Sequence, residues 1–215
     1  MRVAVAWRGL AVVALAAACV TEATSAPALD GVAAETTAPP PATAPAPAPV
    51  DDLGLVIAAE HPHGYDRARF EHWIDADYDG CSTRCEVLLA ERRTDLPGVG
   101  TGWFSVYDWI STPNVADLDV DHLVPLAEAW RSGAHAWDDA RRRAFANDLD
   151  EPDALVAVTA TSNRQKGDKD PAGWLPPRRE QWCWYASAWI RVKAKWDLTA
   201  DPAEAAALRQ VLASC

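Results

Sequence analysis

Short apolar stretches separated by turn residues run along most of the chain and predict short elements. Residues 118–121 alternate between apolar and acidic side chains, a pattern typical of a short strand, here one that ends at His122. The apolar run at 155–158 predicts a second strand. Glycines and prolines interrupt residues 96–112, which predicts a loop-rich segment.

Helical patterns account for most other apolar positions. The predicted helices span residues 53–60, 67–74, 86–93, 126–131, 137–149, 180–195 and 203–213. Another helix is capped by Thr161 or Ser162 and carries Asn163 and Lys166 on one face, because these two are three residues apart. The pattern as a whole predicts an α+β fold, a mostly helical domain around a small two-stranded centre.

The chain begins with a stretch typical of an export signal. Residues 1–18 place Arg2 and Arg8 before a short apolar core, which is shorter than the roughly 20 apolar residues that span a bilayer. Two cleavage sites compete after this signal peptide. The alanines before Cys19 suit a general signal peptidase, and the same alanines with Cys19 resemble a lipobox that would attach a lipid to that cysteine. The protein is expected to be secreted, or lipid-anchored to the outer face of the cytoplasmic membrane.

A spacer and one domain follow the signal. Residues 19–50 are rich in Pro, Ala and Thr, cannot bury a core and predict a disordered linker. Residues 51–215 are long enough for a single domain with its own core.

Cysteine spacing suits an exported protein. The domain contains four cysteines, an even number that predicts two disulfides with three possible pairings. We favour Cys81–Cys85 and Cys183–Cys215. The second pair would tie the last predicted helix to the one before it.

The predicted strand–strand–helix segment carries the candidate chemistry. His122 is the candidate general base, because the unperturbed pKa of histidine lies near neutrality. Asp121 and Asn163 offer the oxygen ligands that Mg²⁺ prefers. Lys166 lies on the same helix face as Asn163 and is placed to hold a phosphate oxygen. Asp119 shares a strand face with Asp121, where it would bind the metal or orient His122.

These motifs resemble those of the ββα-metal HNH endonucleases. Asp-Val-Asp-His-Leu-Val-Pro occupies 119–125 and Ser-Asn-Arg-Gln-Lys-Gly-Asp occupies 162–168, with an apolar strand between them. The pattern is similar to the HNH domain of RNA-guided CRISPR nucleases. It more closely resembles secreted actinobacterial HNH proteins that carry a GmrSD-type restriction endonuclease C-terminal domain. The resemblance extends over about 64–215 and implies the roles given above, with Lys166 as a phosphate-binding or support residue.

The resemblance has one departure. The middle asparagine of HNH proteins usually lies beside the second strand, where this chain has Ala154. Asn147 is the candidate replacement, and the alternative is that this support is missing.

Charge is unusual for a protein that acts on nucleic acid. The chain has 20 Lys and Arg against 31 Asp and Glu, a net charge of −11, whereas nucleic-acid binders usually carry a basic face. Residues 160–195 are locally basic, with a net charge of +5. The residues expected to contact the nucleic-acid backbone are Arg164, Lys169, Arg178 and Arg179.

A second metal motif precedes this site. Asp75, Asp77, Asp79, Gly80 and Glu86 match the EF-hand calcium loop pattern D-x-D-x-D-G-x5-E, with a predicted helix on each side. Bound calcium would be structural in an exported protein. The alternative is an acidic turn closed by the first disulfide, and the presence of only one such loop favours that alternative.

Two functions from different classes remain. The first is an exported, metal-dependent HNH endonuclease with little sequence specificity, for which DNA is favoured over RNA as the substrate. The second is a calcium-stabilised cell-envelope binding module with a decayed HNH core. The complete set of candidate catalytic residues favours the enzyme, and the negative charge favours the module. The sequence carries no signal for dimerisation.

Overall fold

The computed structural model describes residues 51–215. The predicted signal peptide (1–18), Cys19 and the rest of the predicted linker (19–50) lie outside the described residues. Within the described part of the chain, no helix is both long and apolar enough to cross a membrane.

Residues 51–215 form a mixed helix and strand domain, which confirms the predicted α+β fold. The helices are α1 (Thr83–Ala90), α2 (Leu126–Arg131), α3 (Asp139–Ala146), α4 (Ala160–Lys166), α5 (Trp182–Lys195) and α6 (Pro202–Leu212). The strands are β1 (Arg93–Leu96), β2 (Gly100–Ser105), β3 (Ile110–Thr112), β4 (Leu118–His122) and β5 (Leu155–Thr159). Short 3-10 helices lie at Arg67–Arg69, Val115–Asp117, Ala134–Ala136 and Arg179–Gln181.

The two predicted central strands pair with each other. β4 and β5 run antiparallel, from Leu118 opposite Thr159 to His122 opposite Leu155. The apolar side chains of β4 pack against Val87 and Leu88 of α1. Since β5 leads directly into α4, the chain forms a ββα unit.

A larger apolar core lies on the other side of this unit. Tyr185 and Trp189 of α5 are fully buried in it, together with Phe70, Tyr107 and Leu208 of α6. Asp201 and Glu204 form a capping box that begins α6 after the turn from α5, as expected for an acid three residues after an N-cap. α5 and α6 thus form a helical layer that supports the ββα unit.

The segment predicted as loop-rich is instead an antiparallel sheet in the order β1-β2-β3. The prediction for 96–112 was wrong because the glycines there allow turns and a close strand approach. At Gly102, a Cβ atom would lie 2.3 Å from the carbonyl oxygen of Thr112 on β3, so only glycine fits. The Trp103 indole donates a hydrogen bond to the Leu88 carbonyl of α1, at 2.7 Å, and so attaches the sheet to the ββα unit.

Two predicted N-terminal helices are absent from the described residues. The segment 53–60 begins with a turn and a bend and then bridges Ile57 to Ala200, with Ala58 N donating to the Ala200 carbonyl at 3.0 Å. The segment 67–74 contains only the one-turn helix Arg67–Arg69. Helices this short depend on tertiary packing, and here the bridge to Ala200 replaces the first predicted helix.

Other predicted helices differ from the structure only at their ends. α1 begins three residues before its predicted start because Ser82 caps it, accepting a hydrogen bond from Cys85 N. α3 is shorter than predicted because Asp138 caps its start and Asn147 ends it. The predicted cap of α4 at Thr161 or Ser162 was wrong, since Thr159 accepts the hydrogen bond from Ser162 N.

Candidate active site

His122 lies at the end of β4 with its imidazole buried; only 6% of the residue is exposed. Nε2 lies 2.9 Å from the Ala146 carbonyl, which only accepts hydrogen bonds, so Nε2 carries the proton. Nδ1 therefore keeps the lone pair that a general base requires. Trp73 covers the ring at a centroid distance of 5.0 Å. Burial lowers the pKa of His122 to about 3, so the ring is neutral at physiological pH.

Asn163 faces β4 from the first turns of α4. Its Nδ2 donates to Asp119 Oδ2 at 3.0 Å. This bond orients the amide so that Oδ1 remains available, and among the described residues Oδ1 accepts no hydrogen bond. Asp119 therefore contacts the candidate ligand Asn163 directly and orients its side chain.

Asp121 is buried in a polar cluster with Lys166 and Tyr107. Lys166 Nζ lies 2.7 Å from Asp121 Oδ2, and the Tyr107 hydroxyl donates to the same oxygen at 2.7 Å. Burial raises the pKa of the Asp121 carboxyl, and the Lys166 ammonium acts in the opposite direction. Burial likewise lowers the pKa of Lys166, and Asp121 opposes that change.

Lys166 has no exposed surface, and its ammonium also donates to the His122 carbonyl at 2.9 Å. It therefore cannot reach a substrate phosphate in this arrangement. Of the two roles expected for Lys166, the geometry matches support of β4 and Asp121.

Both ends of α4 are held by side chains from distant segments. Asp108, on the turn after β2, accepts from the Ser162 hydroxyl at 2.8 Å and also from the Thr159 hydroxyl. At the other end, Arg131 donates to Asp168 Oδ2 at 2.9 Å. Arg131 also binds Glu128, which pairs with the buried Lys193 of α5. These contacts fix α4, and with it Asn163, relative to the core.

Asn147 lies next to Ala146, whose carbonyl holds His122. Its side-chain oxygen accepts from Ile74 N at 3.1 Å and from the Thr83 hydroxyl at 2.9 Å. Its amide nitrogen donates to the carbonyls of Glu71 and Arg143. Three of these bonds join the end of α3 to the segment that carries Trp73 and to the start of α1, and the bond to Arg143 lies within the end of α3 itself.

A cleft of about 420 Å³ brings the candidate groups together. The polar side chains that line it are Tyr65, Arg67, Asp121, His122, Asn163, Arg164 and Asp168. The cleft therefore contains a neutral imidazole, an amide with an available oxygen and two carboxylates, of which Asp168 is paired with Arg131. Asp121 and Asn163 offer oxygen ligands, which suit a hard cation such as Mg²⁺. A carboxylate has about four lone-pair sites, and three donor contacts reach Asp121, so one site remains for a metal ion.

The four basic residues expected to contact a nucleic-acid backbone are not grouped. Arg164 lines the cleft. Lys169 Nζ instead donates to the Gln165 carbonyl at 2.7 Å and so binds the end of α4. Arg178 lies over Trp109 and Arg179 over Trp182, at 5.5 and 5.2 Å from the ring centroids, and neither lines the cleft.

Several residues that shape the site were not expected from the sequence. Trp73 covers His122, Tyr107 binds Asp121, Asp108 binds the Thr159 cap and Ser162 of α4, and Arg131 holds Asp168. Tyr107 and Asp108 lie in the turn between β2 and β3, within the segment that was predicted as loop-rich. The only sequence signal for Arg131 was its position within 64–215, the range over which the chain resembles the HNH proteins.

The predicted calcium loop places three carboxylates together. Oxygens of Asp75, Asp77 and Asp79 lie within 4.8 Å of one another. Within the described residues, Asp75 Oδ1 is a buried atom with no hydrogen-bond partner, and Glu86 is not part of this group. α1 follows the loop, but the predicted preceding helix is absent from residues 67–74 beyond one 3-10 turn, so the loop is not a complete EF-hand.

Both predicted disulfides are formed. Cys81–Cys85 closes the end of the acidic loop on α1. Cys183–Cys215 joins α5 to the residues that follow α6.

Comparison with known proteins identifies the family. Residues 65–211 match the family described as GmrSD restriction endonucleases, C-terminal domain. Because this match covers more than half of the chain, the protein belongs to that family, and membership supports a nuclease-type function on nucleic acid. A relative from Arthroderma benhamiae, described as an uncharacterized secreted protein, is 41% identical over 169 residues, covering 75% of this chain and 81% of the relative. No solved structure gives a significant match.

Proposed function

We propose that the protein is an exported, metal-dependent endonuclease of the HNH type that hydrolyses phosphodiester bonds, with DNA favoured over RNA. One observation carries the proposal. The unprotonated Nδ1 of His122 belongs to a ring fixed by the Ala146 carbonyl, and this ring lines the same cleft as Asp121 and Asn163. A base and two oxygen ligands in one cleft are the groups that metal-assisted hydrolysis requires.

Asp121 and Asn163 would hold the divalent cation, Mg²⁺ or a similar ion. When bound, such an ion stabilises negative charge on a phosphate and on a leaving oxygen. His122 Nδ1 takes a proton from the attacking water as the new oxygen–phosphorus bond forms. The bond from phosphorus to the 3′ oxygen breaks, and that oxygen takes a proton from solvent. Lys166 and Tyr107 keep Asp121 in position throughout.

The pKa of His122 in the free protein lies below the range that best suits a general base. A base works best when its pKa lies near the operating pH, and burial has lowered this one to about 3. A phosphodiester in the cleft would bring a negative charge beside the ring and raise the pKa of the histidine, whereas a cation at Asp121 and Asn163 would lower it. The substrate would thus have to raise the pKa of His122 against the effect of the metal.

Little sequence specificity is expected from these contacts. The groups proposed to meet the substrate act on phosphate oxygens, and phosphate contacts position a nucleic acid without reading its sequence. The Asn147 bonds would supply the support that the middle asparagine provides in HNH proteins, by fixing the segment around Trp73 and Ala146.

Export is supported by three features. The predicted signal peptide occupies 1–18, the relative in Arthroderma benhamiae is described as secreted, and two disulfides form, as is common outside the cytosol. A lipid on Cys19 would tether the enzyme to the outer face of the membrane, and cleavage after residue 18 without lipidation would release it.

The acidic loop would bind a structural calcium ion. Three carboxylates held within 4.8 Å of one another repel, and a cation relieves that repulsion. The unpartnered Asp75 Oδ1 is available as a ligand. Glu86, in the first turn of α1, lies outside this group and would join it only if the start of α1 moved.

Nicking of supercoiled plasmid in the presence of Mg²⁺ tests the proposed function. The enzyme should convert the plasmid to relaxed circles, and excess EDTA should stop the reaction. The rival cell-envelope module, which the net charge of −11 favours, predicts calcium-dependent binding to cells without any nicking.

A further inference from the structure

Arg67 lies in the wall of the cleft, on a segment whose backbone is held in place. It begins the one-turn helix Arg67–Arg69, which Asp66 caps by accepting a hydrogen bond from Ala68 N at 2.9 Å. Phe70 ends that turn and is fully buried against Trp130 and Phe145. The backbone of Arg67 is therefore anchored, while its side chain is exposed toward the cleft.

One contact holds the Arg67 guanidinium near the candidate base. His72 Nδ1 lies 2.7 Å from the Phe70 carbonyl, so Nδ1 carries the proton and Nε2 is an acceptor. Arg67 Nη2 donates to that Nε2 at 3.3 Å. The His72 ring is in turn 6.2 Å from the His122 ring, which places Arg67 at the His122 side of the cleft.

Half of the arginines among the described residues form ion pairs with carboxylates, and Arg67 and Arg164 belong to the other half. Among the described residues neither forms an ion pair with a carboxylate, although both line the cleft. The arginines that do form such pairs are Arg93, Arg131, Arg141, Arg142, Arg143, Arg191 and Arg209. Arg67 has five N–H donors; it donates one to His72 and lies beside the Tyr65 hydroxyl, so part of its fork remains available to a ligand.

We infer that Arg67 is a phosphate ligand of the nucleic-acid substrate and that it acts with Arg164 from a different segment of the cleft lining. This inference rests on the proposed function. Arginine presents a planar fork that matches two phosphate oxygens. The net charge of −11 means that the protein as a whole repels a polyanion. Unpaired arginines beside the base would supply the local attraction that brings a phosphodiester to His122.

The test compares Arg67→Ala with Arg69→Ala. Arg69 is a matched control, because it is exposed on the same turn, lies over the Trp130 ring at 4.9 Å and does not line the cleft. Binding of a short fluorescein-labelled oligodeoxynucleotide is measured by fluorescence anisotropy at several salt concentrations, and plasmid cleavage is measured in parallel. Arg67→Lys keeps the charge and loses the fork.

Arg67→Ala should weaken oligonucleotide binding about tenfold and reduce the slope of log affinity against log salt by about one, as for loss of one phosphate contact. The KM for plasmid should rise more than kcat falls, Arg67→Lys should be intermediate, and Arg69→Ala should stay close to wild type. Equal affinities and equal salt slopes for Arg67→Ala and Arg69→Ala would overturn the inference.

The two proposals fail in different ways. Cleavage by the wild type together with equal behaviour of the two alanine variants removes only the role of Arg67. Absence of cleavage by the wild type, with oligonucleotide binding that still depends on Arg67, removes the endonuclease proposal and retains the contact.

Discussion

Lys166 and Asp121 form an ion pair inside the ββα unit, with 2.7 Å between Nζ and Oδ2. Lys166 is fully buried and Asp121 is 6% exposed. The pair links α4 to β4 at the point where the two candidate metal ligands must face the same cleft. Its geometry indicates that the helix and the strand are held together by charge as well as by apolar packing.

Removing Lys166 should therefore cost stability. Lys166→Met leaves the Asp121 carboxylate buried without its cation, a change that typically costs about 3–5 kcal/mol. Urea unfolding followed by tryptophan fluorescence measures the loss. Gln165→Met, at an exposed position of the same helix, is the control and should change the free energy of unfolding by less than about 0.5 kcal/mol. Similar values for the two variants would show that the ion pair does not stabilise the unit.

His122 should make the folded protein less stable in acid. Its pKa is lowered from 6.5 to about 3, so between these values the unfolded chain binds a proton that the folded chain does not. Stability is complete above pH 6.5 and falls toward pH 3, by at most about 1.4 kcal/mol per pH unit. The unfolding free energies of wild type and His122→Ala are measured from pH 7.5 to pH 4. The contribution of His122 is the difference between the two slopes of free energy against pH.

Comparison of slopes is needed because other groups act in the opposite direction. Burial raises the pKa of Glu91 and Glu204 to about 7. These carboxyls favour the folded state at low pH, and both remain in the variant, so they cancel. If wild type and His122→Ala had the same slope, His122 would not be the buried neutral base described here.

The affinity for Mg²⁺ should fall when Asn163 is changed. Asn163→Ala removes the available Oδ1, so more Mg²⁺ should be needed for half-maximal plasmid nicking, and the maximal rate should fall. Gln165→Ala, exposed on the same helix, should leave the Mg²⁺ requirement unchanged. An unchanged Mg²⁺ requirement in Asn163→Ala, or full wild-type activity in excess EDTA, would contradict a metal held at this position.

The central unit of the fold was predictable from the sequence. Alternation at 118–121, the apolar run at 155–158 and the spacing of Asn163 and Lys166 each depend on local periodicity, and all three elements are present in the structure. The β1-β2-β3 sheet was not predictable in this way, because it forms through turns at glycines and through pairing between segments.

The contacts that complete the site were not predictable either, because they also join segments that are distant in the sequence. Tyr107 reaches Asp121 from the turn between β2 and β3, and Arg131 meets Asp168 across 37 residues of sequence. No local pattern marks such pairs. The expected phosphate contact of Lys166 was likewise based on helix face alone, which does not reveal whether that face is buried.

Calcium should stabilise the folded protein through the acidic loop. Binding to the native state alone raises stability by mass action, and extracellular sites of this kind bind at about 10⁻⁴–10⁻³ M. The midpoint of thermal unfolding should rise with millimolar Ca²⁺ and fall with chelator. Glu86→Gln should remove the gain, and Glu180→Gln, an exposed acid far along the chain from the loop, should retain it. A wild-type midpoint that does not move with Ca²⁺ would show that the loop is an acidic turn without a bound ion.

Nicking of supercoiled plasmid by wild type and His122→Ala in Mg²⁺ tests the central role of His122 most directly. The control is His63→Ala, because His63 is exposed and does not line the cleft. Circular dichroism establishes that both variants are folded. The account predicts that His122→Ala lowers the nicking rate by at least about 10²-fold, as expected for loss of a general base, and that His63→Ala nicks as wild type does. Wild-type nicking by folded His122→Ala would contradict the account.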